Sequence, residues 1–405
     1  MILFDHQKSA IAHLQEWKVG ALFMEAGTGK TRVACELLNA TPDVDVVVWI
    51  GPLRTIKTEK NMPSIKDEIS KWGGFYCDTF YFGVESIGLS DRIYLEVIGI
   101  ISKAKKPFVI VDESIKIKNY SAKRTKRLLK IGEMTEYKLI LNGTPISRNI
   151  IDIWCQMEFL SPKILNMSMS QFKRKFCYYT TIKKKTRWGG YIKKEFITGF
   201  ENIDYLHSLI RHYVYECDLK LNISQNYSSW NYSITDEERD EYLAIRDKFL
   251  TDEMLEFRNN NIFLEMTQKM QHCYCCTPDK FATVDQIFET VPQSKTIIFC
   301  KYIDSQNECR KRYPDAMVLS YQKESLGLNL QDYCHTIYFD KVWDLALRVQ
   351  SSRRTYRTGQ EYDCKYYDLT GDVKLESLID RNIEKKVGMT EYFKSVSNKQ
   401  IKEDL

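Results

Sequence analysis

No stretch of the 405 residues approaches the roughly 18 consecutive apolar residues of a membrane-spanning helix, so no span is expected. The N-terminus lacks a basic, apolar, small-residue leader pattern, and the expectation is an intracellular, cytoplasmic chain with no membrane partner. Low-complexity tracts are missing as well. The twelve cysteines lie scattered among strand-like patterns, which fits a reducing compartment better than a disulfide framework. His272-Cys273-Tyr274-Cys275-Cys276 invites a zinc reading, but it has no clean Cys-x-x-Cys pair and no second pair at zinc-site distance. These cysteines read instead as small buried apolar residues. A net charge of only +5 decides little about partners, and its distribution decides more. Hydrophobic content of 43% supplies ample core, and the length calls for two domains of about 150–200 residues.

The most informative stretch runs from Val19 to Thr31. Val19 to Met24 is a short apolar run with the pattern of a buried parallel strand. A loop with Gly27, Thr28 and Gly29 follows, and helical spacing begins at Lys30-Thr31. Strand, glycine loop and helix N-terminus make a phosphate cradle. Glycines let backbone N–H groups point inward, Lys30 reaches the β/γ-phosphates of a nucleotide and Thr31 holds Mg²⁺. Upstream, Phe4 to Leu14 reads as a helix with Ile11 and Leu14 facing inward. The Gln7 amide both donates and accepts, as reading an adenine edge requires, although a plain surface glutamine has the same sequence signature.

Val44–Ile50 reads as a second buried strand ending in Gly51-Pro52, and Ile65–Trp72 as a helix. The strand Pro107–Val111 ends in Asp112-Glu113, and Lys138–Leu141 leads into Asn142-Gly143-Thr144-Pro145. Carboxylates at the C-terminal edge of a parallel sheet sit where such sheets bind ligands. Asp112 is then placed to hold Mg²⁺, and Glu113 to orient and deprotonate an attacking water. Strands are expected again at Thr296–Phe299, Met317–Ser320, Thr336–Phe339 and Lys365–Leu369. Residues 200–275 read as helical with a short strand, Thr235 capping a helix from Asp236.

Residues 163–194 carry ten basic residues and no acidic one: Lys163, Lys173, Arg174, Lys175, Lys183, Lys184, Lys185, Arg187, Lys193 and Lys194. Six aromatics, Phe172, Phe176, Tyr178, Tyr179, Trp188 and Tyr191, are interleaved with them, and Trp188-Gly189-Gly190-Tyr191 reads as a hairpin turn. A charge run is ordinarily a solvated face. This composition favours contact with nucleic-acid phosphates.

These segments resemble the motifs of superfamily-two helicases, most of all the Swi/Snf-type translocases on double-stranded DNA. Asp5–Gln7, Glu25–Thr31, Asp112–Asn119 and Leu141–Pro145 match motifs Q, I, II and III. Lys295–Cys300, Leu326–Leu330 and the group Gln350, Arg354, Arg357, Gly359, Gln360 match motifs IV, V and VI. The resemblance covers about residues 4–160 and 228–395. It implies an α/β fold of two tandem RecA-like parallel-sheet domains, 1–160 and 228–405, with a basic aromatic insertion and linker at 161–227. It also implies ATP and Mg²⁺ in a cleft between the domains, Gln350 beside the nucleotide, and Arg354 and Arg357 aimed at the γ-phosphate. DNA, double-stranded or branched, is the implied partner, contacted by Lys173, Arg174, Lys175, Lys183, Lys184, Lys185, Arg187 and Trp188. Met24 stands where the family has an aspartate, Ile115 where motif II usually has a histidine, and motif V is one residue short. Translocation along duplex DNA is the leading expectation. Fork remodelling or branch migration shares the same motifs, and Ile115 leaves room for an ATP-dependent DNA clamp.

Overall fold

The computed structural model describes residues 2–56, 64–143, 145–146, 150–185, 191–251, 260–321, 330–357, 359–384, 392 and 398–405. The chain packs as two compact units, Met1–Leu219 and Lys220–Leu405. Each is built on a parallel sheet, giving the two-domain α/β fold expected from the strand–helix alternation.

The first unit begins with helix α1 (Asp5–Leu14), strand β1 (Val19–Met24) and helix α2 (Lys30–Asn39). Strands β2 (Val46–Gly51), β3 (Asp78–Gly83), β4 (Pro107–Val111) and β5 (Tyr137–Asn142) follow. An antiparallel hairpin, β6 (Cys177–Lys185) with β7 (Tyr191–Phe200), precedes β8 (Val214–Cys217). The six-stranded sheet has the order β3-β2-β4-β5-β1-β8, and every pair in it is parallel. Continuous apolar runs suit this sheet because both faces are covered. Along β1, Ala21 and Phe23 enter one core while Leu22 and Met24 enter the other. Parallel strands also bring the loops after β4, β5 and β1, three neighbours in the sheet, to one edge.

The stretch 161–219, set apart in the sequence reading as insertion and linker, builds onto this first unit. Phe172 and Phe176 are fully buried in its core, so two of the six aromatics counted toward a nucleic-acid surface are packing residues. The hairpin turn at 186–190 lies outside the described residues, between strands paired as far as Lys185 and Tyr191.

The second unit has β9 (Gln225–Tyr232), β10 (Thr296–Cys300), β11 (Met317–Ser320), β12 (His335–Tyr338) and β13 (Cys364–Gly371) in the order β11-β10-β12-β13-β9, again all parallel. Helix Asp236–Phe249 starts at Thr235 with a reciprocal capping box, Glu238 N–H to Thr235 Oγ1 and Thr235 N–H to Glu238 Oε2. All twelve cysteines are free thiols. Among the described residues, no helix is long and apolar enough to cross a membrane.

Candidate nucleotide site

The loop between β1 and α2 turns on two glycines in the left-handed region, Gly27 at φ 89° and Gly29 at φ 81°. Gly29 is required twice over. Its φ suits no side chain well, and a Cβ there would stand 2.3 Å from Gln7 Nε2. Gln7 is 3% exposed, and its amide is engaged within the protein. Its Oε1 accepts from Phe4 N–H at 3.1 Å and its Nε2 donates to Thr28 O at 3.0 Å. The structure thus gives Gln7 a bracing contact with the loop, in addition to any it makes with a base. His6 Nε2 also meets Thr28 O, at 2.9 Å, and Thr28 Oγ1 donates to Glu25 O at 2.7 Å. Glu25 Oε2 in turn accepts from Leu219 N–H at 2.8 Å, just beyond β8.

Lys30 donates from Nζ to Met24 O at 2.7 Å and Glu25 O at 3.2 Å. Met24, where the family pattern differs, therefore contributes its carbonyl to the site and its fully buried side chain to the core. Gly143 approaches from the β5 loop, where an added Cβ would lie 3.5 Å from Ala26 N and 3.6 Å from Lys30 Nζ. Thr31 is half-buried in the first turn of α2.

Asp112 is half-buried at the end of β4 and accepts from Glu113 N–H at 2.9 Å. Burial pushes its carboxyl up to about 7, the adjacent Glu113 charge adds to the rise, and Lys30 opposes it. Glu113 has φ 50° and ψ 53°, a conformation that costs a non-glycine residue roughly 1–3 kcal/mol and persists only where its surroundings impose it. One restraint is Ser114, fully buried, whose Oγ donates to Gln156 Oε1 at 2.7 Å. Asn142 Nδ2 reaches the same oxygen at 3.4 Å, while Gln156 Nε2 donates to Pro145 O at 2.8 Å and Asp152 O at 2.9 Å. The fully buried Gln156 thus ties the Asp112-Glu113 turn to the Asn142–Pro145 loop. Sequence reading missed it because it is one of three polar residues in the largely apolar helix Ile151–Leu160. The available signal was that an unpartnered amide does not survive in such a helix.

Glycine loop, Lys30, Asp112 and Gly143 therefore meet at one sheet edge. The residues present fit a magnesium-bound nucleoside triphosphate: a cradle that side chains at Gly27 and Gly29 would strain, an ammonium beside it, and a carboxyl that burial and the Glu113 charge disfavour as an anion.

The second unit holds the remaining candidates. Gln350 is half-buried on helix Leu345–Ser352. Arg354, just beyond it, is buried and Arg357 half-buried. Gln360 closes the turn, its Nε2 donating to Tyr333 O at 2.8 Å and its Oε1 accepting from Glu361 and Tyr362 N–H, each at 3.0 Å. Arg348, absent from the sequence reading, pairs with Asp368 and stacks 3.1 Å over the Tyr338 ring. Motif V residues 326–329 and Thr144 lie outside the described residues.

Of the basic candidates, Arg174 and Lys175 are exposed and Lys173 half-buried on helix Met169–Phe176, opposite Phe172 and Phe176. Lys175 Nζ sits 4.0 Å over the Tyr205 ring. Lys183, Lys184 and Lys185 lie on β6, with side chains outside the described residues, as are Arg187 and Trp188. Tyr178 and Tyr179 are exposed at the base of the hairpin.

The profile of the SNF2-related domain matches residues 92–310, a little over half the chain. An uncharacterized ATP-dependent helicase of Mycoplasma pneumoniae is 23% identical across 91% of this chain and 40% of its own length. The ATP-dependent helicase brm of Drosophila melanogaster is 23% identical across 85% of this chain and 26% of its own. The chain thus spans well under half the length of these relatives. Among solved structures, the Sulfolobus solfataricus SWI2/SNF2 ATPase core in complex with dsDNA covers the whole chain at 18% identity and a TM-score of 0.44.

Proposed function

The chain belongs to the SNF2-related domain family, and from that premise we propose that it is a DNA-dependent ATPase that moves along double-stranded DNA. The observation that carries the reading is the meeting of the glycine loop, Lys30, Asp112 and Gly143 at one sheet edge.

Bound ATP with Mg²⁺ supplies the transferable phosphoryl group and the cation that neutralises its charge. The chain's own residues do the rest. The N–H groups of Gly27 to Lys30 and the α2 N-terminus hold the phosphate oxygens. Lys30 adds a point charge, and Thr31 and Asp112 would hold the metal. Glu113, fixed by its backbone conformation and by Ser114–Gln156, orients water and accepts its proton. Arg354 and Arg357 supply positive charge to the transferred group, with Gln350 as a polar contact. Lys173, Arg174, Lys175 and the hairpin residues Lys183, Lys184, Lys185, Arg187 and Trp188 contact the DNA, the cations at phosphates.

The test is ATP hydrolysis without nucleic acid and with single-stranded, duplex and branched DNA. Duplex should raise the rate most. Strongest stimulation by branched DNA would favour fork remodelling, DNA binding without turnover a clamp, and equal rates in all four conditions would remove DNA from the reading. Replacing Lys183, Lys184, Lys185 and Arg187 together by alanine should weaken duplex binding on every sequence. It should also flatten the log–log salt slope by about 0.9 for each phosphate that the protein no longer neutralises. An unchanged slope takes the hairpin out of the DNA track.

A further inference from the structure

Along the chain, residues 272–276 have no second ligand pair, and the fold supplies a ligand from another helix. We propose that His272, Cys275 and Asp304 bind a zinc ion. It would join the end of helix Asn260–His272 to the first turn of helix Ile303–Arg312.

The ligand atoms of these three residues all lie within 4.8 Å of one another. His272 Nε2 and Asp304 Oδ2 are 3.0 Å apart. Cys275 N–H donates to His272 O at 3.2 Å, a turn that puts the two side chains on the same side. The Tyr302 ring stands edge-on to the His272 imidazole at 5.2 Å and limits its rotation. The Cys275 carbonyl is held by Lys280 Nζ at 3.3 Å and Ser305 Oγ at 3.4 Å, so the thiol sits on a fixed stem. The side chains of His272 and Asp304 are 54% and 60% exposed, which leaves the buried sulfur an open side for an ion to enter.

The donor set selects the metal. One imidazole nitrogen, one thiolate and one carboxylate suit zinc, whereas calcium and magnesium prefer oxygen alone. Cys276 Sγ stands 3.8 Å from Cys275 Sγ but lies outside the cluster of three, so the fourth position falls to water. Binding releases the Cys275 thiol proton to solvent and replaces its contact with Cys276 by a sulfur–zinc bond, with no change of oxidation state. The site lies wholly in the second unit and is independent of the ATP reading.

The full chain, expressed without a metal-affinity tag and stripped by a chelator under reducing conditions, is titrated with zinc against a chromophoric chelator and with cobalt by absorption. One equivalent of zinc should bind at submicromolar concentration and raise the melting temperature. Cobalt should give a thiolate charge-transfer band. The double variant His272→Ala/Asp304→Ala changes exposed side chains only. It should weaken zinc binding by about 100-fold or more and lose the melting shift. Cys275→Ala should lose the cobalt band. Cys273→Ala should keep it, since the Cys273 thiol points to Met270 O at 3.1 Å. No saturable zinc binding in the micromolar range, or stoichiometric binding unaffected by the double variant, would overturn the proposal and leave His272 and Asp304 as a hydrogen-bonded surface pair.

Discussion

The two parallel sheets treat their C-terminal edges in opposite ways. In the first unit the edge carries Lys30 and Asp112, both incompletely buried, and the aspartate carboxyl is pushed up to about 7. In the second unit, a cation and an anion fill the corresponding region beyond β10 and β12. Lys280 Nζ meets Asp340 Oδ1 at 2.7 Å, with side chains 2% and 3% exposed. Asp340 Oδ2 also accepts from Lys301 N–H at 2.8 Å, and the Lys280 ammonium lies 4.2 Å over the Phe339 ring. Burial alone would lower the Lys280 pKa, but Asp340 and then Glu376 override it and raise it. One edge is closed by its own ion pair. The other leaves a carboxyl disfavoured as an anion, and such a group gains from an added cation. The same architecture thus yields an edge with a carboxyl held above its usual range or one sealed by a buried ion pair.

The sharpest way to break this contrast is at Lys30. Lys30→Ala should abolish ATP hydrolysis, because it removes the ammonium that meets the β/γ-phosphates. Turnover at the wild-type rate would mean that the open edge is not where ATP is hydrolysed.

Arg357→Ala asks whether the second unit, sealed at its own edge, still serves the chemistry. Hydrolysis should fall by about 10³-fold with folding and DNA affinity unchanged. A drop confined to DNA affinity would move Arg357 from the nucleotide to the DNA track.

Asp340→Asn tests the sealed edge itself. Removing one partner strands a buried charge and should cost about 3–5 kcal/mol in denaturant-induced unfolding of the second unit. Replacing both, Lys280→Met with Asp340→Leu, should recover most of that stability. If Asp340→Asn unfolds at the wild-type denaturant concentration, the ion pair is not what closes the edge.

The smallest effect is expected at Gln156, which touches no ligand. Gln156→Leu should lower turnover about tenfold by loosening Ser114 beside Glu113, with nucleotide affinity retained. An equal fall in affinity and thermal stability would make Gln156 a packing residue only.

The first sheet was legible where both faces are buried. Val19–Met24 and Pro107–Val111 occupy the positions their apolar runs predict, and in the second sheet Met317–Ser320 does the same. The polar edge strand β9 was not, although the apolar edge strand Met317–Ser320 was. Gln225-Asn226-Tyr227-Ser228-Ser229-Trp230-Asn231-Tyr232 is polar because β9 closes one side of its sheet, so its residues need no continuous apolar run. The glycine loop and the Asp112-Glu113 turn were readable because the residues that form them are neighbours in sequence. Gln156, Arg348, the Lys280–Asp340 pair and Asp304 beside His272 were not, since each finds its partner through tertiary packing. The Gln7 amide was readable as a donor and acceptor, and only the fold shows that it turns to Phe4 and Thr28.

Strand β8 carries a consequence for how the protein is made. It pairs with β1 from Ala21↔Val214 to Met24↔Cys217, and just beyond that pairing Glu25 is fastened to Leu219. A ribosome adding roughly 5–20 residues per second delivers Cys217 about 10–40 s after Met24. Until then β1 has one bare flank, and the Glu25 carboxylate lacks its contact with Leu219 N–H. The nucleotide loop, though encoded among the first thirty-one residues, is therefore among the last parts of its unit to set during synthesis.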